Sequence, residues 1–317
     1  MSSLVISLDF ELFWGVSDSR SVEGYRSHIE GEWDAIPKML ALFEKYDVKA
    51  TWATVGMLMC RDFEQWRNIQ PAVLPAYNKA SCSNYTFAEL AKAHPRLFFA
   101  RPLVQQILET EGQELASHTY SHFYCSEQGA TVEQFRADLE CMQSITDDVG
   151  VSCKSLVFPR NQVRQDFLKV LPEYGIKTYR GNPSNWVYAD GHYTPGGIAG
   201  RGVRFLDSWL PITGDLVSNV NIHDGVVNVP ASFFLRPWSD KLTVFEFARL
   251  ARMKHAMTRA AQTGATCHMW WHPHNFGVNT QQNIAVLEIL LKHYRTLQVT
   301  YGMVSKTMGD FAQECKL

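Results

Sequence analysis

The most constraining feature of the sequence is an alternation of short apolar runs with longer segments of helical periodicity. The apolar runs are bounded by turn residues, whereas the longer segments repeat apolar side chains three and four residues apart. Strands that alternate with helices in this way favour an α/β fold with a parallel sheet or barrel. The predicted strands cover residues 4–8, 48–55, 114–117, 155–158, 176–179 and 266–271, and the predicted helices cover 33–46, 102–111, 131–149, 162–174, 243–263 and 279–294.

The chain is predicted to form a single catalytic domain over residues 1–317. Its 317 residues, 46% of them hydrophobic, are enough to bury one large core. Two irregular stretches, near 60–100 and 186–242, interrupt the alternation, and we interpret them as insertions because neither has the pattern of an independent domain. The sequence has no Gly/Ser-rich linker and no internal repeat.

Charge, hydropathy and cysteine spacing argue against a nucleic-acid partner, a membrane span and a disulfide framework. The formal net charge is −2 and no basic stripe is present, which argues against nucleic acid. No segment is long and apolar enough for a membrane span, and Asp9 interrupts the first apolar run, so a signal peptide is not expected. The seven cysteines are scattered without a C-x-x-C pair, which favours reduced thiols and a cytoplasmic location.

Charged and imidazole side chains follow four of the predicted strands directly. In parallel α/β folds the carboxyl ends of the strands meet at one rim, and that rim is where the chemistry is found. The sequence therefore predicts that these side chains converge. They are Asp9 and Glu11, His118 and His122, Arg160 and Asn161, and His272 and His274.

The pattern S-H-T-Y-S-H can supply two metal ligands from one short segment. His118 and His122 are four residues apart, a spacing at which two imidazoles can reach one ion, although such pairs also occur as ordinary surface residues. A carboxylate from another strand end would complete a hydrolytic site with two His and one acidic ligand. Asp9 and Glu11 project to the same side of their strand and need a compensating cation, which a metal and Arg160 would provide.

Two interpretations stay open at this level. Asp9 could instead cap a helix while Glu11 is solvated. In W-W-H-P-H-N, His272 and His274 could both be ligands, one could be a general acid, or both could be structural residues packed against the neighbouring tryptophans.

Five segments, in order along the chain, carry a family resemblance. They are V-I-S-L-D-F-E-L-F-W-G, I-P-K-M-L-A-L-F-E-K-Y-D-V-K-A-T-W-A-T-V-G, E-G-Q-E-L-A-S-H-T-Y-S-H, F-P-R-N-Q and W-W-H-P-H-N. With them the chain resembles the polysaccharide deacetylases, the group with the NodB homology domain that is similar to carbohydrate esterase family 4. Its D-F-E motif resembles a branch that spaces its first two carboxylates by one residue.

The resemblance implies a distorted (β/α) barrel with fewer regular strands than the eight of a complete barrel. It also implies a divalent metal, zinc or another transition metal, held by Glu11, His118 and His122. Asp9 matches the catalytic base, Arg160 the arginine that orients it, and His272 the general acid. Two departures are F-P-R-N-Q in place of a proline-and-glycine form and an indistinct late Asp/Trp motif, for which Asp207 with Trp209 or Asn185 with Trp186 are candidates.

The implied activity is removal of an N-acyl group, usually N-acetyl, from a sugar or glycan precursor in surface-polysaccharide biosynthesis. In the cytoplasm the substrate would be a nucleotide-linked or lipid-linked sugar or a short glycan. Candidates for stacking on a sugar ring are Trp14, Tyr124, Trp186 and Trp209, although packing is the more common role for any one of them. The alternatives are the same chemistry on a formamide or ureide, and a sugar-binding protein without turnover.

Overall fold

The computed structural model describes residues 1–183, 207, 214 and 216–316. In these residues the strands are β1 (Ser3–Phe10), β2 (Ala50–Thr54), β3 (Gln113–Ser117), β4 (Ser155–Leu156), β5 (Thr178–Tyr179), β6 (Asn221–His223), β7 (Val226–Asn228), β8 (Phe233–Phe234), β9 (Thr266–Trp271) and β10 (Val304–Lys306). The α-helices are α1 (Val22–Lys45), α2 (Phe63–Asn68), α3 (Ala88–Ala93), α4 (Arg101–Glu109), α5 (Val132–Val149), α6 (Gln165–Leu168), α7 (Glu246–Thr263), α8 (Thr280–Tyr301) and α9 (Met308–Glu314).

One curled sheet organises the fold. The strand order is β6-β7-β5-β4-β3-β2-β1-β9-β8, and β10 also pairs with β1. Among the described strands every pairing is parallel except that of β6 with β7. All eight residues of β1 are buried, as its continuous apolar run requires for a parallel strand covered on both faces. The predicted α/β class and distorted barrel are confirmed.

Helix α1 covers the sheet next to the first strand. Ser21 caps it by accepting a hydrogen bond from the backbone N–H of Gly24, and its buried face includes Ile29, Ile36, Met39 and Phe43. The sequence predicted a start at residue 33, whereas the helix begins at Val22. Its first turns are mostly polar and lack the apolar periodicity on which that prediction relied.

The predicted helix over 162–174 is interrupted. α6 ends at Leu168 and the chain continues as a 3-10 turn over Leu171–Tyr174. Pro172 explains the change, because proline has no N–H to donate and disfavours helical backbone in the residue before it. The predicted helix over 243–263 likewise begins as a 3-10 turn and becomes α-helical only at Glu246.

The two irregular stretches differ in structure. Residues 60–100 form short helices whose side chains, including Trp66, Phe98 and Phe99, pack around Trp14. The described part of 186–242 contains β6, β7 and β8, which the sequence did not predict because each strand has only two or three residues. Asp224 and Gly225 form the β6–β7 turn, both at positive φ, as a tight hairpin turn requires.

No helix in the described part of the chain combines the length and apolarity that a bilayer span needs.

Candidate active site

Glu11 lies at the centre of three imidazoles. Its Oε1 atom is 3.1 Å from His118 Nε2, 3.3 Å from His122 Nε2 and 3.6 Å from His272 Nε2. Glu11 follows β1, the first two histidines follow β3, and His272 follows β9, so the convergence expected from the strand ends is present. Burial alone would raise the pKa of Glu11, but the surrounding imidazoles bring it well below its usual value, which keeps the carboxylate ionised.

Glu11, His118 and His122 fit a metal ion. His118 Nδ1 is 2.8 Å from the Val157 carbonyl oxygen, which can only accept, so this nitrogen carries the proton and Nε2 presents a lone pair toward Glu11. Both ring nitrogens of His122 are buried and have no hydrogen-bond partner among the described residues. A cation held by one nitrogen of each imidazole and a carboxylate oxygen would give His118 Nε2 and one nitrogen of His122 a partner, and the three donor atoms lie within 4.8 Å of one another.

A second group, Asp9, Glu11 and His272, also has ligand atoms this close together and shares Glu11 with the first. Both carboxylate oxygens of Asp9 are already bound by an arginine described below. The set with His118 and His122 therefore fits an ion better.

Asp138 of α5 holds the turn between the two histidines of the S-H-T-Y-S-H segment. Its carboxylate accepts hydrogen bonds from the backbone N–H groups of Tyr120 (2.7 Å) and Ser121 (3.0 Å) and from the Ser121 hydroxyl. Burial raises its pKa to about 6. Asp138 was not predicted from the sequence, although an acidic side chain on the apolar face of a helix, beside Phe135, Leu139 and Met142, is a signal for it.

Gly15 allows the Glu11 side chain to occupy its position. A Cβ atom at residue 15 would lie 1.7 Å from Glu11 Oε2 and 2.7 Å from Glu11 Cβ. We expect Gly15→Ala to push the carboxylate away from the imidazoles and to weaken metal binding at least tenfold, measured by titrating the metal-free protein with zinc. Gly24→Ala is the control, because a Cβ there meets only the Ser21 hydroxyl at 3.2 Å. Unchanged affinity in Gly15→Ala would show that Glu11 is not held in this position by the metal.

Asp9 is paired with Arg180 rather than with Arg160. Arg180 Nη1 is 2.6 Å from Oδ1 and Nη2 is 2.7 Å from Oδ2, in a bidentate pair that is almost completely buried. Burial alone would raise the pKa of Asp9, but Arg180 more than offsets it, and the pKa is lowered. The Arg180 guanidinium also lies over the Trp270 ring at 4.3 Å.

The role predicted for Arg160 is therefore corrected. Arg160 forms an ion pair with Asp18, which is only 5% exposed and so needs a counter-charge, and its guanidinium lies 4.1 Å from the centre of the Tyr124 ring. Arg180 follows β5 directly. The rule that selected the other site residues, a charged side chain directly after a predicted strand, would have found it.

His272 differs from His274 in what it faces. Its side chain is 24% exposed, and its Nε2 atom is 3.9 Å from Asp9 Oδ2, beside the carboxylates. His274 is buried, with its ring stacked on that of His272 at 5.0 Å and edge-on to Tyr25. Burial lowers the pKa of His274 to about 3, so it is neutral. Of the alternatives left open for this segment, a proton donor at His272 and a packing residue at His274 fit the geometry.

Two of the predicted sugar-stacking residues are corrected. Trp14 is fully buried, donates from Nε1 to the Phe98 carbonyl oxygen at 2.7 Å and packs against Trp66, so it has no face for a ligand. Tyr124 is 2% exposed, lies under Arg160 and contacts the His122 ring edge-on at 5.1 Å. It supports a candidate ligand instead of presenting a ring to solvent.

Of the candidates for the late Asp/Trp motif, the structure describes only Asp207. Asp207 is fully buried and accepts a hydrogen bond from Arg252 of α7 at 3.0 Å. Asn185, Trp186 and Trp209 lie outside the described residues.

Comparison with known families identifies the segment that carries the histidines. The family model described as polysaccharide deacetylase matches residues 30–179. The matched range holds 150 of the 317 residues, slightly less than half of the chain. It contains His118 and His122, whereas Asp9, Glu11 and His272 lie outside the matched range and join them through the fold of the sheet.

Solved structures share the polysaccharide deacetylase fold over nearly the whole chain. A Mycobacterium smegmatis protein named after polysaccharide deacetylases aligns with a TM-score of 0.62 at 13% identity, covering 99% of this chain and 91% of that one. A probable polysaccharide deacetylase from Pseudomonas aeruginosa PAO1 aligns with a TM-score of 0.55 at 12% identity, covering 98% of this chain and 89% of that one. Puue allantoinase aligns with a TM-score of 0.54 at 14% identity, covering 98% of this chain and 88% of that one. No curated protein gives a significant match. At these identities the likeness shows the fold alone.

Proposed function

We propose that the chain, acting as one catalytic domain over residues 1–317, is a metal-dependent hydrolase that removes an N-acetyl or other N-acyl group from a sugar. One observation carries the proposal: Glu11, His118 and His122 are placed so that they could hold a metal ion, directly beside an ionised carboxylate, Asp9, and a partly exposed imidazole, His272. Amide hydrolysis needs these three functions at one point. Zinc or another divalent transition metal suits the donor set.

A metal at this site would polarise the acyl carbonyl and make a water molecule acidic enough to attack it near neutral pH. Asp9 takes a proton from the attacking water, and Arg180 keeps Asp9 ionised with a fixed orientation. The water oxygen bonds to the acyl carbon, the C–N bond breaks, and His272 gives a proton to the departing nitrogen. The products are a carboxylate and the free amino sugar.

The general-acid role of His272 predicts a specific defect. His272→Ala should retain the metal and lower kcat by roughly 10²- to 10⁴-fold, because the amine would leave without a proton. His274→Ala should lower kcat much less, since this ring does not face the carboxylates. Metal content and rates of amine release, measured on both variants, check this. If His272→Ala loses its metal, His272 is a ligand and the acid must be sought elsewhere.

The substrate we propose is a nucleotide-linked or lipid-linked N-acetyl sugar, or a short glycan, used in surface-polysaccharide biosynthesis. Such precursors are the N-acylated sugars that the cytoplasmic setting expected from the sequence would offer. The fold likeness to Puue allantoinase keeps a ureide as a second candidate.

The test is a substrate panel of nucleotide-linked N-acetyl sugars, short N-acetylated glycans, a formamide and a ureide. Release of amine and carboxylate is measured before and after chelation of the metal. Chelator-sensitive turnover of an N-acetyl sugar is the expected result. Turnover of the ureide alone would move the proposal to the second candidate, and binding of sugars without release of product would identify a sugar-binding protein.

A further inference from the structure

The interior of the sheet contains a chain of polar side chains that ends at Asp9. His268 of β9, Ser7 of β1 and Arg180 connect in that order, and all three are fully buried. Ser7 Oγ is 2.8 Å from His268 Nε2, and Arg180 Nη1 is 3.0 Å from Ser7 Oγ. The sequence analysis assigned no role to Ser7 or His268.

The direction of each hydrogen bond in this chain is fixed. His268 Nδ1 is 3.1 Å from the Val229 carbonyl oxygen, which can only accept, so Nδ1 carries the proton. Burial and the nearby Arg180 lower the pKa of His268 to about 3, so the ring is neutral and Nε2 is an acceptor. The Ser7 hydroxyl must therefore donate to Nε2, which leaves its oxygen lone pairs for Arg180, a group that only donates.

Ser7 completes the hydrogen bonding of the buried guanidinium. Arg180 has five N–H donors. Nε and Nη2 donate to Asn161 Oδ1 at 3.2 and 2.9 Å, the two Nη atoms donate to the Asp9 carboxylate, and the remaining Nη1 hydrogen goes to Ser7. Asn161 fixes one edge of the guanidinium plane and Ser7 the other. The orientation of the Asp9 carboxylate follows from that plane because the pair is bidentate.

We propose that His268 is a positioning residue for Asp9, acting through Ser7 and Arg180. By accepting the hydrogen bond from the Ser7 hydroxyl, His268 keeps that hydroxyl from turning toward the Asp9 carboxylate and keeps its oxygen directed at Arg180. Both oxygens of Asp9 then stay in the bidentate pair, in the orientation that the base requires. The inference rests on the proposed function in taking Asp9 as that base, although the hydrogen-bond chain itself does not depend on turnover.

The first test reads the tautomer directly. Imidazole ¹⁵N chemical shifts of the zinc-loaded protein, with His268 assigned by comparison with His268→Gln, should show a neutral ring protonated on Nδ1 at neutral pH. A ring protonated on Nε2, or on both nitrogens, would overturn the proposal because Ser7 could not then donate to it. This measurement gives its answer even if the protein hydrolyses none of the substrates, so it separates this inference from the proposed function.

The second test compares two side-chain hydrogen bonds between β1 and β9, Ser7 with His268 and Ser3 with Thr266. Ser7→Ala and His268→Phe should lower kcat by roughly 10- to 100-fold, the effect expected for a lost hydrogen bond to a charged group, with KM and metal content unchanged. Ser7→Thr keeps a hydroxyl and should recover most of the rate. The matched controls are Ser3→Ala and Thr266→Val, which remove a hydrogen bond of 2.9 Å between the same two strands. They should change kcat less than about twofold.

The results that would overturn the proposal are an unchanged kcat in Ser7→Ala or an equal loss in the Ser3 and Thr266 controls. A crystal structure of Ser7→Ala adds a readout independent of turnover and of whether His268→Phe folds. The Asp9 carboxylate should rotate out of its bidentate pair in that variant. An Asp9–Arg180 pair superposable on that of the wild type would contradict the positioning role.

Discussion

Asp9→Asn is expected to lower hydrolysis by roughly 10²- to 10⁴-fold while leaving the metal content unchanged. The reason is that Arg180 holds both oxygens of Asp9, so this residue is the proposed base and not one of the proposed metal ligands. Substrate binding should persist, so the variant can retain substrate. Metal analysis and single-turnover rates on the purified variant give the result.

Glu11→Gln is the paired experiment because it preserves size while weakening a ligand. We expect a lower metal affinity and partial recovery of the rate in excess zinc, because Glu11 Oε1 is the carboxylate oxygen closest to the Nε2 atoms of His118 and His122. If Asp9→Asn loses metal while Glu11→Gln stays metal-replete and inactive, the two roles must be exchanged.

Arg180→Met is expected to lower both stability and rate, and Arg160→Met is expected to affect the rate far less. Removing Arg180 leaves Asp9 buried without a counter-charge, a change that costs about 3–5 kcal/mol in the free energy of unfolding. It also removes the group that orients the base. Arg160 is partly exposed and its partner is Asp18, so its loss does not disturb Asp9 directly.

Denaturant unfolding and kcat at saturating zinc, measured on both arginine variants, test this assignment. Arg180→Gln, which keeps two donors, should lie between Arg180→Met and the wild type. A larger loss of kcat in Arg160→Met than in Arg180→Met would restore the assignment made from the F-P-R-N-Q motif.

The contrast between these two arginines shows how far sequence alone could go. Both follow a strand, and the order of residues does not say which side chain crosses the interior of the sheet to reach Asp9. The family motif favoured Arg160, but Asp18 binds it in a contact between residues 142 positions apart in sequence. The candidate metal ligands were predictable because Glu11 directly follows β1, a long buried strand, and both histidines belong to the S-H-T-Y-S-H segment that begins at the end of β3.

Burial was the property that composition predicted least well. Trp14 was a candidate for sugar stacking, yet its surroundings are built by Trp66 and Phe98, which are distant in sequence. The polar chain from His268 to Asp9 was also not predictable from the sequence, because single Ser and His residues in apolar runs give no signal of their hydrogen-bond partners. A strand that consists of one continuous buried run, β9 over Thr266–Trp271, matched the prediction residue for residue.

Hydrolysis is proposed to depend on a metal held by Glu11, His118 and His122. The most direct measurement is the metal content of the protein together with amine release from an N-acetyl sugar, before chelation, after chelation and after zinc is restored. We predict about one divalent ion per chain, loss of hydrolysis with the ion, and recovery in the wild type but not in His118→Ala or His122→Ala. Hydrolysis that persists in fully metal-free protein would contradict the account.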